Sequence, residues 1–211
     1  MSSESYMSPE TEGLIHRALA GDETAFNALL SPFEESLKRL IVRRIESDLV
    51  RRFDASDVLQ ETRLSVFQRL PEYFERRPMP FAIWLHKSAL QQLATLRKFH
   101  VIAQKRSITR ERTPAVGSSV QLMASLLVDK LTPSSIIAAG EKQRRLECAL
   151  SELREGDREL LLLRYVEQYS NREVAMLLDI TEPAASKRHG MALLRLQRSY
   201  KRLFPEDSGH G

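Results

Sequence analysis

Apolar side chains recur at intervals of three and four residues along most of this 211-residue chain, which is the spacing of one face of an α-helix. The series Phe26, Leu29, Leu30, Phe33 and Leu37 is typical. No segment alternates apolar and polar residues over the length of a β-strand. Only 8 Gly and 9 Pro are present, too few for a fold built on many tight turns. We therefore predict an all-α protein.

Breaks in this pattern divide the chain into two helical domains joined by a linker. The first domain spans residues 11–105, and the second spans 133–204. The linker, 106–132, is rich in turn-forming residues, although its stretch 122–128 is apolar enough to dock as a short helix. The two ends of the chain are predicted to be disordered, residues 1–10 and 205–211.

Prolines and capping residues indicate where helices of the first domain begin and end. Asp54 is placed to cap a helix that Pro71 is expected to end, and Pro32 predicts a break or kink in an earlier helix. The apolar face that we assign to the helix after Asp54 includes Leu64 and Phe67.

The composition argues against several classes of protein. Lys and Arg number 32 against 28 Asp and Glu, a mild net charge of +4. The single cysteine, Cys148, excludes an internal disulfide and a Cys-rich zinc site, and its apolar position in a helical pattern predicts core packing. No apolar run approaches the ~20 residues of a membrane span, and the N-terminus lacks the apolar stretch of a signal peptide. We expect a cytoplasmic protein that binds no metal, cofactor or membrane.

Residues 170–188 carry the most informative motif. Ser170 is placed to cap a helix, and Glu173 completes a capping box three residues later. Ile180 occupies the following turn, and Thr181 is placed to cap a second helix. This arrangement predicts a helix-turn-helix, whose second helix enters the major groove of DNA.

The second helix of this motif places Ser186, Lys187 and Arg188 in its first two turns, where a recognition helix meets bases and phosphates. Residues 171–203 hold 7 Lys and Arg against 3 Asp and Glu. A helical hairpin with a solvated basic face is the alternative interpretation. The candidate contacts to duplex DNA are Arg172, Thr181, Ser186, Lys187 and Arg188.

Three acidic residues form a stripe on the helix that follows Asp54. Asp54, Asp57 and Glu61 are spaced by three and four residues, with Gln60 beside them. Metal or acid/base chemistry would need ligands from other helices, such as Glu-x-x-His pairs, and none is present. The stripe is therefore either a solvated face or a docking surface for a basic partner.

A later helix combines aromatic and basic residues, which suits stacking on unpaired bases. Trp84 at helical spacing from Phe81 is nevertheless more often a core residue than a base platform. Residues 97–112 hold 6 Lys and Arg against one Glu, a balance that fits a phosphate backbone. The candidate contacts to single-stranded DNA are Trp84, His86, Lys87, Gln91, Arg97 and Lys98.

In order and spacing, these motifs resemble extracytoplasmic-function sigma factors of the sigma-70 family, from about Glu12 to Leu203. Asp54-x-x-Asp57-Val58-x-Gln60-Glu61-Thr62 resembles region 2.2, and Phe81-x-x-Trp84-Leu85 resembles the start of regions 2.3 and 2.4. Residues 150–165 resemble the opening of region 4, and 170–188 its helix-turn-helix. Gln91 and Thr95 stand where the family commonly has Asn and Asp, and His189-Gly190 replaces apolar and aromatic residues.

The resemblance implies a non-enzymatic subunit of RNA polymerase that directs promoter recognition and transcription initiation. Asp54, Asp57, Gln60 and Glu61 would bind the clamp helices of the β′ subunit, which favours docking over a solvated face. The contacts to single-stranded DNA would read the −10 element. Those of the helix-turn-helix would read the −35 element, and that domain would contact the β flap.

Further implications are a monomer when free and an anti-sigma protein as a partner. The competing hypothesis is a stand-alone dimeric helix-turn-helix regulator, which would bind palindromic DNA without polymerase.

Overall fold

The computed structural model describes residues 8–45, 54–105, 118–131 and 139–205, which form helices joined by short turns and include no β-strand. The prediction of an all-α protein is confirmed. The elements are α1 (Pro9–Leu19), α2 (Glu23–Arg44), α3 (Ala55–Arg76), α4 (Phe81–Lys105), α5 (Ser118–Leu131), α6 (Ala139–Ser151), α7 (Glu155–Leu161), a π-helical turn (Leu162–Val166), α8 (Asn171–Leu178) and α9 (Glu182–Leu203). None of the helices in these ranges is both long enough and apolar enough to cross a membrane.

The described residues form two compact units, each with its own core. The first unit contains α1 to α4, and the second contains α5 to α9. Residues 1–7 and 206–211 of the predicted disordered ends, residues 106–117 and 132 of the predicted linker, and residues 133–138 of the predicted second domain lie outside the described part of the chain, as do residues 46–53. Residues 8–10 were also predicted to be disordered, but Ser8 caps α1 and Pro9 begins it.

Side-chain caps fix where the helices of the first unit begin. Asp22 accepts hydrogen bonds from the backbone N–H groups of Thr24 and Ala25, at 2.9 and 3.0 Å, and so caps α2. The hydrogen bond from the Thr24 hydroxyl, the one from the Ala25 N–H and the Arg17 guanidinium hold the pKa of Asp22 far below its usual range. Gly21 before it has φ +90°, a conformation that favours glycine. Asp54 caps α3 as predicted, in a capping box with Asp57.

Pro32 and Pro71 both lie inside continuous helices, so the predicted helix end at Pro71 is wrong and no break occurs at Pro32. Pro32 lies in the middle of α2, and Pro71 lies within α3, which continues to Arg76. Buried side chains on both sides of Pro32, such as Leu29 and Leu37, hold α2 against its neighbours. A proline removes one hydrogen bond, and such packing can offset that loss. Helix α3 ends instead at Arg77, which has φ +40°.

Two residues assigned to the apolar core face of α3 are exposed. Leu64 is 52% and Phe67 is 45% exposed, whereas Val58, Val66 and Leu70 are each 1% exposed. The ring of Phe67 packs in a T-shaped arrangement with that of Phe26, at 5.1 Å between centroids. The helical period placed these residues near the buried face, but the neighbouring helices cover a narrower strip.

Part of the segment assigned to the linker belongs to the core of the second unit. Helix α5 buries Val120, Met123, Ala124 and Leu127 in one apolar cluster with residues of α6, α7, the π-helical turn and α9. The structure thus differs from the prediction of a linker over 118–131. The four buried residues of α5 have i, i+3, i+4 and i+7 spacing, which places them on one face of a helix.

The single cysteine is exposed rather than buried, so the prediction that Cys148 packs in the core is wrong. Its neighbours Leu146, Ala149 and Leu150 on α6 are all buried, and Cys148 lies on the other side of that helix.

Candidate nucleic-acid interface

The second unit contains a helix-turn-helix whose ends are closed by side chains. Ser170 Oγ accepts from the Glu173 backbone N–H at 3.2 Å, and the Glu173 carboxylate accepts from the Ser170 N–H at 2.7 Å. The predicted capping box at the start of α8 is therefore present. Thr181 Oγ1 accepts from the Ala184 N–H at 3.3 Å and caps α9. A cap of this kind typically stabilises a helix by about 0.5–2 kcal/mol.

The turn between α8 and α9 is sharp because Asp179 adopts the left-handed conformation, with φ 53° and ψ 46°. The Ile180 N–H donates to the Ala175 carbonyl at 3.0 Å, which closes the turn. Ala185 is fully buried and Ala175 is 6% exposed, so small side chains lie where the two helices approach. This geometry holds α9 at a fixed orientation with its first turns exposed.

All five candidate contacts to duplex DNA are exposed. Ser186, Lys187 and Arg188 are exposed in the first two turns of α9, Arg172 is exposed in the first turn of α8, and Thr181 is exposed at the cap of α9. Each of them lies at or near the N-terminal end of one of the two helices.

Two contacts that the sequence did not reveal tie α9 to the rest of the unit. The Asn171 side-chain amide donates to Ser186 Oγ at 2.8 Å, so the first residue of α8 holds a candidate base-reading hydroxyl. His189 Nε2 lies 3.2 Å from the Tyr165 hydroxyl. Burial lowers the pKa of the His189 imidazole, and the nearby Arg164 guanidinium lowers it further. These pairs are 15 and 24 residues apart, so no local sequence pattern indicates them.

The acidic stripe of the first unit is exposed along α3. Asp54, Asp57, Gln60 and Glu61 are all exposed. Asp57 also has a structural role, since its carboxylate accepts from the Asp54 N–H at 3.4 Å in the capping box. Leu64 continues the stripe one turn beyond Gln60 and Glu61. Across the described ranges, no group of three or more His, Cys, Asp or Glu side chains could hold a metal ion.

The candidate contacts to single-stranded DNA on α4 are only partly on the surface. Gln91 and Lys98 are exposed, and His86 and Lys87 are half-buried. His86 Nε2 lies 3.2 Å from Ser36 Oγ of α2. Helix α4 includes Arg97, whose side chain lies outside the described part of the structure.

Trp84 lies in the core of the first unit, where it cannot stack on a base in this conformation. It is 5% exposed, and its ring centroid lies 4.6 Å from that of Tyr73 and 5.8 Å from that of Phe81. Burial raises the pKa of Tyr73 to about 12, and its hydroxyl donates to the Met79 carbonyl at 3.0 Å. The helical spacing of Trp84 from Phe81 is explained by this cluster. Trp84 is therefore a core residue, the alternative to a base platform that the sequence left open.

Arg69 is a residue near this surface that the sequence did not single out. Its guanidinium carbon lies 6.0 Å from the Trp84 ring centroid, and its Nη1 donates to Gln91 Oε1 at 3.0 Å. Arg69 therefore covers the outer face of the buried tryptophan and orients an exposed amide on α4. Because it comes from α3, only the packing of α3 on α4 places it there.

A helical chain with a capped helix-turn-helix in its second unit has the architecture of a DNA-binding transcription protein. Comparison with known proteins narrows this class. Residues 143–196 match the family model described as sigma-70, region 4. The chain is 26% identical over 168 residues to the ECF RNA polymerase sigma-E factor of Haemophilus influenzae, covering 80% of this chain and 83% of that protein. It is 24% identical over 166 residues to the protein of the same name from Escherichia coli K12, covering 79% and 81%.

The fold is also that of a solved protein, CnrH in complex with the cytosolic domain of CnrY. The TM-score is 0.52 at 21% identity, covering 90% of this chain and 96% of CnrH. By these matches the chain is similar to sigma factors of the sigma-70 family, of the extracytoplasmic-function type. Its function is promoter recognition and transcription initiation with RNA polymerase. These relatives do not favour the alternative of a stand-alone dimeric regulator.

Proposed function

We propose that the two units divide the work of promoter recognition, with the exposed helix-turn-helix of the second unit reading the −35 element. The observation that carries this proposal is the exposure of Ser186, Lys187 and Arg188 on the first two turns of a capped α9. Bidentate and phosphate contacts from such residues give both affinity and base preference. Arg172 and Thr181 lie beside them and would contact the DNA backbone.

The first unit would bind core RNA polymerase through the acidic stripe of α3. Gln60 and Glu61 are exposed there, and Asp57 lies one helical turn earlier on the same face of α3. The basic partner proposed for this stripe is the pair of clamp helices of β′, and the second unit would contact the β flap. No bond is made or broken by the chain, which acts as a non-enzymatic cytoplasmic subunit and needs no cofactor.

The −10 element would be read by α4, with a changed role for its tryptophan. Gln91 and Lys98 are exposed and would contact the displaced strand, with Arg97, His86 and Lys87 nearby in sequence. Trp84 would support this surface from the core rather than stack on a base. An anti-sigma protein is a further proposed partner, since the solved relative CnrH is bound to CnrY.

The test is binding of the purified chain to core RNA polymerase, with charge reversal of the stripe. Asp57 is a poor choice, because its change would also remove its half of the capping box at the start of α3. Glu61→Arg changes only an exposed side chain. Glu75→Arg, also exposed on α3, makes the same change of charge about 21 Å further along the helix and serves as the control.

We expect Glu61→Arg to weaken binding to core polymerase at least about tenfold, as loss and reversal of a charged interface contact does. Glu75→Arg should bind as the parent does. Equal affinity of all three proteins would remove the stripe from the interface. A parent that ignores core polymerase and shifts palindromic duplex DNA as a dimer would contradict the whole assignment.

A further inference from the structure

We propose that a groove between the end of α6 and the C-terminal half of α9 binds an acidic segment of a protein partner. The groove has a volume of about 610 Å³. Its walls carry Glu152, Arg154 and Asp157 on one side and Arg195, Arg198 and Arg202 on the other, above Leu153. None of these residues is among the contacts proposed above for DNA or for core polymerase.

Two sets of ion pairs hold the walls of the groove in place. Arg195 Nη1 donates to both carboxylate oxygens of Asp157, at 2.8 and 2.7 Å, and the Asp157 side chain is only 13% exposed. The Glu152 carboxylate accepts from the Ser199 hydroxyl and the Arg202 guanidinium. The Ser199 hydrogen bond and Arg202 lower the pKa of Glu152, so the Glu152 carboxylate stays ionised in its pair. The groove is thus preformed by contacts within the second unit.

The remaining two arginines of the groove have no acidic partner within the described part of the chain. Arg154 and Arg198 are both exposed, and the guanidinium group of neither takes part in an ion pair or hydrogen bond there. Four guanidinium groups against two carboxylates leave a net charge of +2 in the groove. A guanidinium pairs best with a carboxylate or phosphate, because its planar fork matches two oxygens. The groove therefore selects an anionic ligand.

The position of the groove favours a protein over DNA as its ligand. This inference rests on the −35 contact proposed above for the first turns of α9. Arg198 follows Lys187 by eleven residues, about 16.5 Å along α9, whereas the major groove is about 8.5 Å deep. Met191 and Leu194 lie between them on the same face and are 38% and 47% exposed. Exposed apolar side chains beside a basic groove fit an acidic, amphipathic helix, which would bury them.

The experiment is a titration of the isotope-labelled full chain, followed by NMR, with a helical peptide of Glu, Leu and Ala as the probe. A peptide with Lys in place of Glu is its counterpart. We expect the acidic peptide to shift the resonances of Arg154, Arg198 and Leu194 selectively, with an affinity that falls as salt rises. The Lys peptide should not shift them.

Two charge-reversed variants separate the groove from general attraction to a basic protein. Arg154→Glu with Arg198→Glu should weaken binding of the acidic peptide roughly tenfold or more. Lys38→Glu with Arg39→Glu makes the same change of charge on exposed residues of α2 and should have little effect. Equal loss in both variants would overturn the proposal.

Two further results would also overturn it. One is a set of resonance shifts centred on Lys187 and Arg188 instead of the groove. The other is that duplex DNA displaces the peptide and itself shifts the Arg154 and Arg198 resonances. That result would mean that the groove binds DNA phosphates. Failure here is distinguishable from failure of the proposed function, since binding to core polymerase through α3 does not involve this groove.

Discussion

Replacement of Gly190 by alanine should stabilise the second unit, because this glycine lies in the interior of α9. A Cβ built at Gly190 meets no atom within 4 Å, so the methyl group fits without strain. Glycine in a helix interior is about 1 kcal/mol less favourable than alanine, mainly because it loses more backbone freedom on folding. We therefore expect Gly190→Ala to raise the free energy of unfolding of this unit by about 0.5–1 kcal/mol.

Calorimetry of the full chain measures this effect. For a domain of 60–100 residues, 1 kcal/mol corresponds to a shift in Tm of about 4–8 °C, so the transition of the second unit should rise by a few degrees. The transition of the first unit should stay in place, because the two units have separate cores.

Gly13→Ala is the matched control in the first unit. Gly13 is exposed in the middle of α1, and a Cβ there also meets no atom within 4 Å. This variant should raise only the other transition. A Gly190→Ala protein whose Tm is unchanged or lower would refute the reasoning, since it would mean that residue 190 does not have the open, helical environment described here.

Three other predictions test the packing and the titration of the second unit. Leu127→Ala should destabilise it by about 2–5 kcal/mol in denaturant unfolding, since Leu127 is fully buried, whereas Leu126→Ala, at a residue 43% exposed, should change little; equal effects would show that α5 is not part of this core. Cys148 should react with a thiol reagent in the native protein at nearly the rate of the unfolded chain, and slow reaction would contradict its exposure. Because the pKa of His189 is lowered in the folded state, the unfolded state binds more protons, and stability should fall as pH drops from about 6.5 through the lower folded pKa. His189→Gln should flatten this pH dependence of stability. An unchanged slope in the variant would show that His189 does not cause it.

Local chemistry explains the parts of the fold that could be predicted from the sequence. The capping boxes at Asp54 and Ser170 and the cap at Thr181 each depend on residues within three positions of one another. The helix-turn-helix follows from such signals in a fixed order. Its exposed N-terminal turns follow as well, because polar residues occupy them.

Tertiary packing decides what the sequence could not show. A helical period gives the direction of an apolar face but not how much of that face a neighbouring helix covers. The period therefore predicts Leu64 and Phe67 in the core, although both are exposed in the structure. The same argument applies to Cys148 on α6. The sequence did not assign α5 to the second domain for a different reason. Turn-forming residues precede this helix, and its apolar side chains pack on α6 and α9, which are distant from it in sequence.

The candidate −35 surface combines both kinds of information, and this affects how promoter preference can be inferred. Ser186, Lys187 and Arg188 are readable from the sequence of α9, but the Ser186 hydroxyl is held by Asn171 of α8. The helix is also tied to Tyr165 through His189. Because the Ser186 hydroxyl already accepts a hydrogen bond from Asn171, it has fewer ways to bond to a base than a hydroxyl without such a partner. Base preference at that position therefore depends on Asn171 as well as on the recognition helix, and a comparison of α9 sequences alone would miss it.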